Sequence, residues 1–225
     1  MQMPQRPPIQ RPADSRRFTD RVLAELRAAH YSPRGCLHFG TCCGIRSWEQ
    51  IRLHRRAATE ATALHLALIP LARRSPLTLL GSWLLAITHL GLLGPETRSI
   101  GLANVLSLAR ANLPTVAAAP VLAMATDLAD GPWARLGTPT AFGAYADALA
   151  DVVFWTRFGM RSGRWLGCVA FAAWAGPAIG IMIASFVAGR SVDYPRPAWA
   201  RRLSAALQCL IAVGALRQAG LAEEG

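Results

Sequence analysis

The chain has 225 residues, of which 52% are hydrophobic, and its net charge of +11 comes entirely from arginine because the sequence contains no lysine. Such a charge occurs in nucleic-acid-binding proteins and in membrane proteins whose arginines anchor cytoplasmic loops. The mean hydropathy of +0.27 and the long apolar runs favour a membrane protein, and we expect no nucleic-acid partner. Five cysteines without regular spacing argue against a disulfide scaffold.

The N-terminal residues 1–56 are polar and rich in arginine and proline, and we predict that they form a cytoplasmic region. Within them, residues 16–30 match an amphipathic helix that lies either on the membrane surface or in a solvated tail. Residues 33–50 contain Pro, Gly and Cys and are interpreted as a loop. This loop holds a group of residues of zinc-ligand type, although their spacing matches no standard finger and reduced cysteines are the favoured interpretation: Cys36, His38, Cys42 and Cys43.

The apolar residues 57–220 predict an all-α fold, an integral membrane helical bundle of five or six transmembrane helices. The charge-free run 76–94 has 19 residues, enough to cross about 30 Å of hydrocarbon. Residues 102–129 are interrupted by Pro114 and Pro120 and are predicted to form one kinked span. Four further helices are expected, of which the first is an interfacial helix or a marginal sixth span: residues 57–71, 141–158, 165–189 and 199–216.

Four carboxylates are concentrated in 25 residues of this apolar region: Asp127, Asp130, Asp147 and Asp151. Acidic groups are costly near a bilayer, so the cluster is a functional-site hypothesis. Intervals of three and four residues place side chains on one helical face, and two such helices that meet would aim the carboxylates at one point. Because the carboxylates repel one another, we expect a cation between them, and oxygen ligands favour Mg²⁺ or Mn²⁺.

The distribution of arginines orients the five predicted spans. One side receives residues 1–56 together with Arg73 and Arg74, whereas Arg98 falls on the less basic side. The more basic side is expected to be cytoplasmic. Since this side also holds the carboxylates, we predict a plasma (inner) membrane protein whose site opens to the cytoplasm.

The carboxylates belong to a longer pattern, Asp127-x-x-Asp130-Gly131-x-x-Ala134-Arg135, then seven residues, then Gly143-x-x-x-Asp147-x-x-x-Asp151. It resembles the signature of the CDP-alcohol phosphatidyltransferase family at all eight fixed positions. Two features depart from the family. The seven-residue gap is one residue shorter than usual. Only 16 residues separate Arg110 from Asp127, where members fit most of two spans. Residues 104–110 resemble the family's N-terminal helix motif, so either residues 76–94 replace the first span or this second resemblance is accidental.

The resemblance implies an enzyme of phospholipid synthesis, which transfers a phosphatidyl group from CDP-diacylglycerol to the hydroxyl of a small alcohol and releases CMP. It implies two divalent metal ions, Mg or Mn, held by Asp127, Asp130, Asp147 and Asp151, with Asp151 also acting as the catalytic general base. It further implies a homodimer in contact with membrane lipid. The implied substrate-binding residues are Gly131, Ala134, Arg135 and Gly143.

Two alternatives stay open. A CDP-head-group phosphotransferase of the choline or ethanolamine type carries the same signature and uses diacylglycerol as the acceptor. The other alternative is a non-enzymatic membrane protein with a carboxylate ion site; a transporter would more often have two repeated halves, which the sequence lacks. If the acceptor is phosphorylated, the candidates to bind its phosphate are Arg190, Arg196, Arg201 and Arg202.

Overall fold

A computed structural model describes residues 12–73, 75–94, 96–136, 140–193 and 198–223; for residues 12, 13, 130–136, 198, 201 and 218–223 it describes the backbone alone. All regular elements in these ranges are helical, which confirms the all-α prediction. The α-helices are α1 (Pro12–Ala28), α2 (Pro33–Leu53), α3 (Arg55–Leu68), α4 (Pro76–Thr88), α5 (Leu102–Ala111), α6 (Ala119–Leu136), α7 (Ala141–Ser162), α8 (Arg164–Ala170), α9 (Gly176–Ala188) and α10 (Ala198–Glu223).

Helix α7 defines two ends of the bundle, a proximal end at its first residue and a distal end at its last. Helices α3 and α4 form an antiparallel hairpin whose turn is distal, because Ser75 accepts a hydrogen bond of 3.4 Å from Arg161 near the end of α7. Helix α4 finishes at the proximal end, where the His89 ring stacks on Tyr145 of α7 with 4.2 Å between centroids. The described helices from α3 to α7 therefore alternate in direction.

Helices α5 and α6 form a second hairpin, so the prediction of one kinked span over residues 102–129 is wrong. Helix α5 ends at Ala111 and α6 begins at Ala119. Pro114 has no N–H to donate and cannot continue α5. The carbonyl of Leu113 accepts a hydrogen bond from Arg157 instead, and Thr115 Oγ1 accepts one of 2.9 Å from Arg161. The turn of this hairpin thus lies at the distal end, beside the turn between α3 and α4.

This hairpin reverses part of the predicted orientation. Arg73 follows α3 in the distal turn, and Arg98 precedes α5 at the proximal end, which is the opposite of the sequence-based assignment. The proximal position of Arg98 follows from its neighbour Ser99, whose hydroxyl donates to Glu60 at the start of α3. Arg74 lies outside the described residues.

A buried polar chain joins α3, α4 and α5 inside the bundle. His65, Ser82 and Asn112 are each at most 4% exposed. The Nε2 of His65 lies 3.1 Å from Ser82 Oγ, which also accepts a hydrogen bond of 2.9 Å from Asn112 Nδ2. Because buried polar groups are costly without partners, this chain fixes the register of the three helices.

Helices α7 and α8 approach closely through glycine. A Cβ at Gly159 would lie 2.4 Å from the Cβ of Ala170, so no larger residue fits there. Beyond this contact the chain continues through a π-helical segment, Phe171–Ala175, into α9. Within that segment Trp174 is fully buried and stacks on Trp155 with 5.7 Å between centroids.

The prediction that residues 33–50 form a loop is wrong, because they lie within α2. Ser32 caps this helix by accepting a hydrogen bond of 3.2 Å from the Gly35 N–H, and Pro33 occupies its first turn, where a missing N–H is tolerated. The cysteines of α2 are free thiols. Cys42 Sγ lies 3.5 Å from His38 Nε2, one helical turn away.

The amphipathic helix expected at residues 16–30 is confirmed within α1. Its apolar residues Val22, Leu23 and Leu26 are at most 4% exposed, so protein rather than lipid covers this face. The end of α1 docks on α9: Arg27 donates a hydrogen bond of 2.9 Å to the Ala188 carbonyl, and Tyr31 donates one to Phe186. The N-terminal region is thereby part of the folded bundle.

Among the described residues, one continuous helical run, Arg164–Ala188, is long and apolar enough to cross a membrane. It corresponds to the predicted span 165–189. The predicted 19-residue helix over 76–94 is shorter than expected, because α4 ends at Thr88 and a 3₁₀ turn follows. Glycines 91 and 94 lower the helix propensity of this stretch. Helix α4 has 13 residues and spans only about 20 Å. The bundle of five or six spans is therefore not confirmed.

Candidate functional site

The centre of the candidate site is Arg110, the last charged residue of α5. Its side chain is fully buried, and its guanidinium is contacted by carboxylates from two other helices. Nη1 lies 3.3 Å from Asp127 of α6, Nη2 is hydrogen-bonded to Asp147 of α7, and Nε lies 3.6 Å from Asp151 of α7. Three of the four predicted site carboxylates thus converge on one cation.

Arg110 reaches this position because α5 runs parallel to α7. Asn104, near the start of α5, lies beside Gly143 at the start of α7. Asp147 and Asp151 follow Gly143 by one and two helical turns, and Arg110 lies at their level because α5 continues in the same direction. Helix α6 returns antiparallel from the distal turn and delivers Asp127. The short separation between Arg110 and Asp127 is therefore accommodated by a tight hairpin, and the segment 104–110 contributes directly to the site.

The carboxylates differ in their access to solvent. The side chains of Asp127 and Asp147 are 42% and 48% exposed, whereas that of Asp151 is only 18% exposed. The buried guanidinium of Arg110 therefore lies at the bottom of the site, with Asp151 beside it. The two more exposed carboxylates, Asp127 and Asp147, lie nearest to solvent. Among the described side chains, the guanidinium of Arg110 lies between the carboxylates, and the divalent ions expected there stay a prediction.

Gly143 permits the contact between α5 and α7. A Cβ at this position would lie 3.1 Å from Asn104 Oδ1, closer than a Cβ is usually found. The Gly143 N–H donates a hydrogen bond of 3.0 Å to Thr140 Oγ1, which caps α7. The predicted role of Gly143 in substrate binding stays a prediction, and the structure adds a role in helix packing.

The remaining signature residues lie in the last two turns of α6, where the backbone alone is described: Asp130, Gly131, Ala134 and Arg135. Their side-chain roles stay predictions. Helix α6 ends at Leu136 and α7 begins at Ala141, so the connection that is one residue short is a four-residue link between two helices. Of the acceptor-phosphate candidates, Arg190 and Arg202 are exposed, and the side chains of Arg196 and Arg201 lie outside the description.

The donor set fits a hard divalent cation, since the described side chains that converge here supply carboxylate oxygens. Their arrangement is that of an ion-pair cluster. In the described part of the chain, no group of three or more His, Cys, Asp or Glu side chains is arranged to hold a metal ion. A metal ion at these carboxylates would have to take over contacts that Arg110 now makes.

Sequence reasoning did not nominate Arg110 as a site residue. The available signal was an arginine at the end of an apolar helix, 16 residues before the first of four carboxylates. A buried arginine is costly unless it is paired, and the acidic cluster is the nearest large source of negative charge in the sequence.

Comparison with known proteins agrees with this geometry. A model of the CDP-alcohol phosphatidyltransferase family matches residues 97–222, more than half of the chain and all of α5 to α9. No curated protein and no solved structure matches the chain significantly. The match includes Arg110 and every carboxylate of the cluster. The chain therefore belongs to the CDP-alcohol phosphatidyltransferase family, a class of transferases of phospholipid synthesis.

Proposed function

We propose that the chain transfers a phosphatidyl group from CDP-diacylglycerol to the hydroxyl of a small alcohol and releases CMP. The observation that carries this proposal is the convergence of Asp127, Asp147 and Asp151 on Arg110, formed by three helices of the family domain, α5, α6 and α7. A site of this kind combines partly exposed carboxylates with a buried, fixed positive charge. Both are suited to a pyrophosphate substrate that approaches from the proximal end.

The proposed reaction is a displacement at the phosphorus that bears the diacylglycerol. The acceptor oxygen forms a bond to this phosphorus, and the bond to the bridging oxygen breaks, so that CMP leaves with the electron pair. The proton of the acceptor hydroxyl goes to Asp151, which acts as the general base. Asp151 is the least exposed of the three described carboxylates, and its assignment as the general base follows from the family resemblance.

Asp127, Asp130, Asp147 and Asp151 would hold two divalent ions, Mg²⁺ or Mn²⁺. When bound, these ions supply charge neutralisation at the phosphates and stabilise the leaving group. Arg110 acts as a positioning residue, since it contacts three of these carboxylates and fixes α6 and α7 relative to each other. Arg135 would bind a phosphate oxygen through its forked guanidinium. Gly131, Ala134 and Gly143 would leave room for the substrate close to the helix backbone, because they have no side chain or only a methyl group.

We further propose that the protein is integral to the inner membrane, with its proximal end in the cytoplasm. The alternating direction of α3 to α7 supports a bundle that crosses the membrane several times. The proximal end carries α1, α2 and Arg98, so its excess of arginine supports this orientation. The diacylglycerol chains would remain in lipid while the head group reaches the carboxylates, and a homodimer is expected from the family resemblance.

The experiment that tests this function is CMP release by the purified full-length chain in detergent, supplied with CDP-diacylglycerol, Mg²⁺ or Mn²⁺ and a panel of alcohols. We expect release that requires both metal and one particular alcohol. Asp151→Asn should abolish turnover while largely sparing CDP-diacylglycerol binding, and the matched variant Asp14→Asn, on α1, should leave turnover unchanged. Turnover with CDP-choline and diacylglycerol alone would establish the head-group reaction instead, and near-normal turnover by Asp151→Asn would refute the general-base assignment.

A further inference from the structure

Helix α1 holds the connection between α9 and α10 at the proximal end of the bundle. Arg16 donates to the carboxylate of Asp193 and, over 3.5 Å, to the carbonyl of Ser191. One turn further along α1, Asp20 Oδ1 accepts a hydrogen bond of 2.6 Å from the Ser191 N–H. The backbone of Ser191 is therefore bound through both its carbonyl and its N–H by side chains of one helix.

The same face of α1 also holds the end of α9. Arg27 donates a hydrogen bond of 2.9 Å to the Ala188 carbonyl. Gly189 follows in the left-handed conformation, with a φ of +66°, and a Cβ there would lie 2.9 Å from Arg27 Cδ. Glycine therefore suits both the turn and the close approach of α1. The α1 residues that make these contacts recur at intervals of three or four positions, as on one helical face: Arg16, Asp20, Ala24 and Arg27.

These contacts join two parts of the chain. Helix α1 precedes the residues that match the family, whereas the connection between α9 and α10 lies within them. Four residues separate Asp193 from Ala198, the first residue of α10, so these two lie at most about 18 Å apart. Helix α10 in turn packs on α6 and α7, which carry the site carboxylates. By fixing Asp193, α1 restricts where α10 begins beside the site.

The connection lies near the start of α7 and exposes an arginine there. Asp193 lines a crevice together with Ala141, the first residue of α7, two positions before Gly143. Arg190, one of the candidates to bind an acceptor phosphate, is exposed and directly precedes Ser191. Because α1 binds the backbone of Ser191, it also limits the positions that the neighbouring guanidinium can reach.

We propose that α1 positions the connection between α9 and α10 for binding of the acceptor alcohol, with Asp20 and Arg16 as positioning residues. This inference rests on the proposed function, in which a water-soluble acceptor reaches the carboxylates from the proximal end while the lipid chains of CDP-diacylglycerol stay in the membrane. The apparent affinity for a ligand falls with the fraction of molecules in the binding-competent arrangement. Loss of the α1 contacts therefore weakens acceptor binding and leaves donor binding and the chemical step unchanged.

The first measurement is hydrogen exchange of backbone amides, followed by mass spectrometry, on the purified full-length chain in detergent without substrates. The amides of residues 189–193 should exchange at least tenfold faster in Asp20→Ala than in the wild type, because the Ser191 N–H loses its acceptor. Asp20→Asn keeps an acceptor oxygen and should lie in between. The matched control Arg17→Gln should exchange like the wild type, since Arg17 is 82% exposed and faces Asp14 of the same helix. Unchanged exchange in Asp20→Ala would overturn the proposal whatever reaction the protein catalyses.

The second measurement is the rate of CMP release at varied concentrations of CDP-diacylglycerol and of the alcohol that supports turnover. Asp20→Ala and Arg16→Gln should raise the acceptor KM at least fivefold, with kcat and the KM for CDP-diacylglycerol within twofold of the wild type, and Arg17→Gln should resemble the wild type. Arg16→Gln changes an exposed side chain, so it provides the test should Asp20→Ala fail to fold. Faster exchange with an unchanged acceptor KM would overturn the acceptor role. No turnover by the wild type with any alcohol would refute the proposed function and this role together, whereas the exchange result would still show whether α1 holds the connection.

Discussion

Replacing Arg110 with methionine would keep most of the side-chain volume but remove the charge that lies between Asp127, Asp147 and Asp151. Removing one partner of a buried ion pair typically costs about 3–5 kcal/mol, because the remaining charge is left uncompensated. Two of the three carboxylates are close to half-exposed, and solvent screens them. We therefore expect a loss of about 2–3 kcal/mol in the free energy of unfolding.

This loss should depend on divalent cations. In EDTA, Arg110→Met is expected to melt about 4–12 °C below the wild type, from about 2–4 °C per kcal/mol for a chain of this size. Mg²⁺ should restore much of the difference, since a cation that binds the folded carboxylates stabilises the fold by mass action. The shift caused by Mg²⁺ should be larger in the variant than in the wild type, where the ion must displace contacts of Arg110.

The assay is thermal unfolding in detergent, followed by tryptophan fluorescence, with EDTA or Mg²⁺ in parallel samples. Arg157→Met is the matched control, because Arg157 is partly buried and donates to the Leu113 carbonyl rather than to a carboxylate. It should lower the melting temperature in a manner that Mg²⁺ does not correct. Equal melting of wild type and Arg110→Met in EDTA, or an equal Mg²⁺ shift in both, would refute the role assigned to Arg110.

Two further predictions concern packing and pH. Gly143→Ala should be about 1 kcal/mol less stable than the matched variant Gly180→Ala. Both variants gain helix propensity, but the methyl group at position 143 presses on Asn104 Oδ1, whereas that at position 180 meets open space. Equal melting temperatures of the two variants in thermal unfolding would contradict the close contact. Asp20 accepts hydrogen bonds from the Ser191 hydroxyl and N–H, which hold the pKa of this carboxyl below its ordinary value of 3.8. The ionised Asp20 carboxylate therefore stabilises the fold fully above that pH, and this contribution is lost as the pH falls through the lowered pKa. Asp20→Asn should consequently show a smaller decrease in melting temperature on acidification than the wild type.

The carboxylate cluster could be predicted from sequence because its information is local. The intervals between Asp127 and Asp130 and between Asp147 and Asp151 are helical, and both segments are helices in the structure. Apolar periodicity likewise identified α1, although Val22, Leu23 and Leu26 are buried against protein rather than lying on a membrane surface or in a solvated tail. In each case a repeat of three or four residues carries the signal.

The direction of the helices could not be predicted in the same way. Residues 102–129 have a composition that fits one kinked span, and only 16 residues separate Arg110 from Asp127, where family members fit most of two spans. The structure resolves this with a non-helical turn around Pro114 that Arg157 stabilises from α7. A contact between residues 44 positions apart leaves no local pattern in the sequence. Because residues 102–129 were predicted to run in one direction only, Arg73 and Arg98 were assigned to the wrong ends of the bundle.

The helical state of residues 33–50 was missed for a different reason. Gly35, Gly40 and Gly44 and the neighbouring cysteines have low helix propensity, so composition favours a loop. Packing overrides it: a Cβ at Gly35 would lie 2.7 Å from the Cβ of Ala29, so glycine allows α1 and α2 to meet closely. Tertiary contacts, rather than intrinsic preference, determine the state of this segment.

The docking of α1 on the end of α9 also constrains how the chain matures. Hydrogen bonds attach Tyr31, Arg27 and Asp20 to α9 and to the residues that follow it. The bonded partners are separated in the sequence by 155, 161 and 171 residues, respectively. A ribosome adds about 5–20 residues per second, so roughly 10–30 s pass between synthesis of α1 and synthesis of its docking surface. During this interval the N-terminal helices exist without that partner. Completion of the proximal end is accordingly one of the last steps in the biogenesis of this protein.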